Sequence, residues 1–158
     1  MKRLASIFCL LIVSVGTAPV GATDRSAIAI EGTYLVVQDN KFQRILSFER
    51  GGNVTLVSNQ QYLIGFTTGK GAWEEIGRGR VRARIIDFNF KQDSGEPIGS
   101  AIIIYELTFT DLKDGLYQSV SGSSTGEQYS ANQNPLTTTE SPTRKFGSGF
   151  KGRRITAQ

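Results

Sequence analysis

Three features of the sequence predict an all-β fold, an antiparallel up-and-down β-barrel of about eight to nine strands. Short runs rich in Val, Ile, Thr, Phe and Tyr recur along the chain, with little helical periodicity. Glycine with polar neighbours punctuates them, in "ERGGN" at 49–53, "TTGKG" at 67–71, "KQDSGEP" at 91–97 and "LKDGL" at 112–116, which is hairpin chemistry. The single cysteine, Cys9, lies in the apolar N-terminal run, so no disulfide staples the domain and it must rest on its own core. Sequential antiparallel strands form a sandwich or a barrel, and closure removes the edges that invite aggregation.

The chain opens "MKRLASIFCLLIVSVGTAPVGA", with Lys2 and Arg3 ahead of an apolar run from Leu4 to Val15. That run is shorter than the roughly 20 apolar residues of a membrane span. Val20-Gly21-Ala22 fits the small-residue cleavage pattern, so residues 1–22 are expected to be a secretory signal peptide cut after Ala22. Residues 23–158 then form a single barrel domain, secreted to the extracellular or periplasmic space, with no integral membrane segment. Loss of Lys2 and Arg3 lowers the formal charge from +4 to +2, far from the basic excess usual in nucleic-acid-binding domains, and no nucleic-acid partner is expected. A monomer or weak homo-oligomer is expected.

Strands are predicted at residues 32–38, 42–49, 53–58, 62–66, 71–76, 80–90, 100–110, 117–124 and 149–156. The stretch at about 123–146, rich in Ser, Thr, Gln, Asn and Gly and holding Pro135 and Pro142, is expected to be a long polar loop. Gly32-Thr33-Tyr34, Gly71-Ala72-Trp73 and Gly115-Leu116-Tyr117 form a weak echo, glycine followed two residues on by an aromatic side chain.

The chain has no histidine, which excludes Ser-His-Asp triads, histidine bases and histidine metal ligands. No metal site and no cofactor is expected, and any chemistry must use carboxylates, Tyr, Lys, Arg or Ser. In the segment around residue 101 the odd positions Ala101, Ile103, Tyr105, Leu107 and Phe109 make one apolar face, the candidate ligand-binding wall of the lumen. In "RVRARIIDFNF" strict alternation places Val81, Ala83, Ile85, Asp87 and Asn89 on one face and Arg80, Arg82, Arg84, Ile86, Phe88 and Phe90 on the other. Either Asp87 follows Ile85 inward to a polar position at the end of the barrel, or a bulge near Ile85-Ile86 sends Phe88 and Phe90 inward instead. An inward Asp87 would be desolvated and its pKa raised toward the range useful for acid–base work, with the Tyr105 hydroxyl as its partner; both are candidate catalytic groups. Arg78, Arg80, Arg82 and Arg84 are expected on a solvated outer face, paired with acids such as Glu74, Glu75 and Glu106.

Gly32-Thr33-Tyr34 resembles the Gly-x-Trp that opens the first barrel strand of lipocalins and other calycins, and Arg153 or Arg154 resembles their closing arginine. Thr110-Asp111 is similar to the Thr-Asp-Tyr turn of that family, with Leu112 in place of tyrosine. The resemblance covers the ends of the barrel. It implies a calycin-like lumen whose closed end is formed by Gly32, Tyr34 and Arg153 or Arg154, and it transfers no particular ligand. Three functions follow: a barrel binding a small, largely apolar ligand; a cofactor-free isomerase, cyclase or dehydratase using Asp87 and Tyr105; or an extracellular macromolecular interaction module.

Overall fold

A computed structural model describes residues 28–157. The expected signal peptide and its cleavage after Ala22 lie outside the described residues. Eight strands run in chain order: β1 Gly32–Gln38, β2 Gln43–Phe48, β3 Asn53–Ser58, β4 Gly69–Gly77, β5 Arg80–Phe90, β6 Pro97–Lys113, β7 Leu116–Ser130 and β8 Arg144–Arg154. Each pairs antiparallel with the next, and β8 returns to β1 to close the barrel. The fold is therefore all-β, an eight-stranded antiparallel up-and-down barrel. Among the described residues no helix is long and apolar enough to cross a membrane.

Two predicted elements are corrected. Residues 62–66 are not a strand: Gln61–Ile64 is a single turn of helix, ended by Gly65 in the left-handed region at φ 80°. The run "QYLIG" has strand-like side chains, but it is short and its glycine closes the turn. A Cβ at Gly65 would also collide with the Phe90 carbonyl. The polar loop expected at about 123–146 is strand at both ends, because β7 continues to Ser130 and β8 begins at Arg144, so the connection is residues 131–143.

Alternation along each strand sets the interior. Tyr34 and Val36 of β1, Leu46 and Phe48 of β2, Val54 and Leu56 of β3, Val81, Ala83 and Ile85 of β5, and Ile103, Tyr105, Leu107 and Phe109 of β6 all join one buried core. The long β6 and β7 carry the most extensive pairing, from Gly99↔Ser130 to Lys113↔Leu116. On β7 and β8 the inward positions include Gly122, Ser124, Gly126, Ser148 and Gly152, as their registers with β6 and β1 require. Bulky side chains fill one half of the lumen, while small and polar ones leave space in the other.

Candidate functional site: a plugged end and an open end

The filled half is an aromatic plug. The Tyr34 ring meets Phe109 at 5.1 Å and Phe48 at 6.0 Å between centroids, Phe48 meets Phe109 at 5.4 Å and Trp73 at 5.8 Å, and Phe109 meets Tyr117 at 6.1 Å. Most are edge-to-face, the arrangement the ring quadrupole favours. Arg154 covers this cluster. Its guanidinium carbon lies 4.8 Å from the Tyr34 centroid, Nε donates to the Tyr117 carbonyl at 2.7 Å, Nη1 to that of Glu31 at 2.7 Å, and Nη2 to that of Ala29 at 3.0 Å and to Tyr34 Oη at 2.6 Å. The three aromatics of the sequence echo, Tyr34, Trp73 and Tyr117, all reach this plug. Gly32 has φ 136°, and a Cβ there would strike the Arg154 guanidinium, so glycine makes room for the arginine.

Of the two candidate closing arginines, Arg154 takes the position and Arg153 does not. Arg153 is the neighbour in the pleat and faces out, 3.7 Å from the Asp111 carboxylate and 78% exposed. Burial raises the Tyr34 hydroxyl pKa to about 12, against the opposing influence of the Arg154 charge and its hydrogen bond.

At the opposite end lies a cavity of about 500 Å³, within the range of small-molecule sites. Its apolar wall includes Phe42, Leu63, Ile64, Phe66, Ile98, Ala101, Ile103 and Phe146. Its ionisable lining residues are Arg44, Asp87 and Arg144, interspersed with amides and hydroxyls such as Gln38, Asn89, Gln128 and Ser124. Leu63 and Ile64 are 67% and 53% exposed, which places the helical turn at the mouth.

The ladder between β5 and β6 is continuous from Arg80↔Thr108 through Ile85↔Ile103, Ile86↔Ile102 and Asp87↔Ala101, and shifts only between Asn89 and Phe90. There is no bulge at Ile85-Ile86. Asp87 therefore points inward at the open end and is 3% exposed, while Phe88 faces out at 66%. Burial raises its carboxyl pKa to about 6, opposed first by a hydrogen bond from Asn89 Nδ2 to Oδ1 at 3.0 Å and then by the charge of Arg44. The outer face behaves as expected where Arg82 Nη2 meets Glu106 Oε1 at 3.1 Å, an exposed pair of small energetic weight.

Ala101 and Ile103 line the cavity, whereas Leu107 and Phe109, farther along β6, pack into the filled half. Tyr105 is fully buried, edge-on to Phe150 at 5.7 Å, and its hydroxyl accepts a hydrogen bond from Arg44 Nη1. Burial raises the Tyr105 pKa against the Arg44 charge and hydrogen bond, with the Asp87 charge adding to the rise. Asp87 and Tyr105 thus share one face, and Arg44 interacts with both.

Arg44 was not among the residues singled out from the sequence. It is 8% exposed, and its Nε has no hydrogen-bond partner among the described residues. The signal was the parity of "RILSF", which puts Arg44 on the same face as Leu46 and Phe48. No group of three or more His, Cys, Asp or Glu able to hold a metal occurs among the described residues.

No family model, curated protein or solved structure matches this chain. Assignment of function therefore rests on the barrel itself.

Proposed function

We propose that this protein is a secreted, lipocalin-like carrier that binds a small ligand with a largely apolar body in the open half of its barrel. The observation that carries this reading is the division of the lumen: an aromatic plug under Arg154 at one end, and a cavity of about 500 Å³ with an exposed apolar mouth at the other. Ala101, Ser124 and Ser148, where other inward positions carry Leu or Phe, keep that space open. Native mass spectrometry of the gently purified protein tests the reading. A co-purifying small molecule that is lost when Ala101 is replaced by Phe supports it; a spectrum of the bare chain alone, with no binding to a library of apolar small molecules, rejects it.

Acid–base turnover in the same cavity is a second reading, favoured by one observation. Asp87 is an inward carboxyl with a pKa raised to about 6 on the cavity wall, close to the value a general acid or base needs near neutrality. Recovery of the bound molecule chemically changed after incubation, with Asp87→Asn blocking the change, distinguishes catalysis from carriage.

A further inference from the structure

Resting on the reading of the barrel as a small-molecule binder, we infer that its ligand carries an anionic head, a carboxylate or similar monoanion, which seats against Arg44 and binds together with one proton taken up by Asp87.

The first support is the state of Arg44. A guanidinium removed from water is costly unless a counter-charge and hydrogen bonds compensate it. Here Nη1 donates to a neutral hydroxyl, Nε has no partner, and no carboxylate lies within ion-pair distance among the described residues. Four ion pairs of the barrel, Arg82–Glu106, Lys91–Glu96, Lys145–Glu127 and Arg153–Asp111, lie on exposed side chains. The one deeply buried cation among the described residues lines the cavity, where a ligand can supply what the protein does not.

The second support is the charge of the wall. Arg44 and Arg144 each bring a guanidinium to the wall, and among the described residues Asp87 is the only acid in the lining. The charged and titratable groups facing Asp87 are Arg44 from β2, Tyr105 from β6 and, across the cavity, Arg144 from β8; Asn89 on its own strand adds a neutral donor. Asp87 feels the Arg44 charge yet does not form an ion pair with it. An ionised Asp87 would repel an incoming carboxylate, whereas a protonated one adds a hydrogen-bond donor. The balance is then simple: ligand anion, ionised protein and one proton give a complex in which the anion faces Arg44 and Asp87 is neutral. Because Asp87 titrates near 6, affinity should rise as pH falls toward 6 and level off below it.

Calorimetric titration of the purified protein with benzoate, 2-naphthoate and decanoate, each beside its primary amide, tests this between about pH 6 and 8. The expected result is a carboxylate preference of about tenfold or more at the lower pH, with affinity strengthening by up to about tenfold per pH unit above the Asp87 titration. Arg44→Met should remove the preference, and Asp87→Asn should make carboxylate binding flat with pH. Amides that bind as tightly as their acids, or carboxylate binding indifferent to pH, overturn the inference while leaving the small-molecule reading intact. If no member of the panel binds, both fall. The comparison of acid with amide on the unaltered protein decides the question even if Arg44→Met does not fold.

Discussion

Asp87 occupies a position where strand alternation and solvation pull in opposite directions. Alternation turns it inward after Ile85, and burial then favours its neutral form. Its folded pKa of about 6 lies above the ordinary value of 3.8, so the native state holds the proton more tightly than the unfolded chain. The contribution to stability is thus fully present below about pH 4, declines as pH rises through the interval from 4 to 6, and is lost above it. Asp87→Asn should flatten that slope and make the empty protein more stable than the parent above pH 6 by about 1–3 kcal/mol. Melting temperatures of both proteins across pH 4–8 check this, and parallel curves would sink it. Arg154 poses the converse case, a cation satisfied on every side. Arg154→Met would strip hydrogen bonds from the carbonyls of Ala29, Glu31 and Tyr117 and should cost about 2–4 kcal/mol in denaturant unfolding. Arg153→Met, on the outer face, should cost less than about 0.5 kcal/mol.

At the scale of the element, what the sequence made legible depended on what each strand faces. The inward face of β6 was readable because its odd positions from Ala101 to Phe109 are all apolar and the strand alternates apolar and polar residues from Tyr105 to Thr110, as a strand with one buried face must. The parity of β5 beyond Ile85 was not, because Asp87 and Phe88 interrupt its pattern. The second half of β7 was not readable either, because "SSTGEQYS" lines the cavity through Ser124 and Gln128, part of its polar lining, and a strand with small and polar inward residues has the composition of a loop. Arg44 was hidden for a related reason: an arginine in a hairpin-rich stretch resembles any solvated charge, and only its parity with Leu46 and Phe48 marks it as inward. Gly122 lies on the same inward face of β7 but serves packing. It pairs with Leu107 and Phe150, and a Cβ there would run into the Glu106 carbonyl, so close approach of β6 and β7 requires glycine. Gly122→Val should therefore destabilise by about 1–3 kcal/mol, and Ser121→Ala, its outward neighbour, by far less; thermal unfolding of the pair checks the difference.

Across the whole molecule, stability and ligand capacity are assigned to opposite ends of one barrel, and the two should separate under mutation. The plug is a continuous aromatic cluster: Tyr34, Phe48, Phe109 and Tyr117 touch one another in a chain of ring contacts beneath Arg154. Truncating its centre with Phe109→Ala removes contacts to three rings and leaves a void that a closed barrel cannot readily collapse, at a cost of about 3–5 kcal/mol. The cavity lies beyond Ile103, and Phe109 is not part of its wall, so any protein that remains folded should bind small molecules with little change. Ala101→Phe has the opposite expected effect. The residue is inward and 4% exposed on the cavity wall, where a ring enters space already present rather than displacing packed atoms. Its added apolar burial should leave the melting temperature unchanged or raised, while capacity for the carboxylate panel is lost. Measuring melting temperature and binding on both variants checks the two expectations together. A loss of binding in Phe109→Ala equal to that in Ala101→Phe, at temperatures where both are folded, would mean that the lumen acts as a single unit and that the plug shapes the site it was taken only to support.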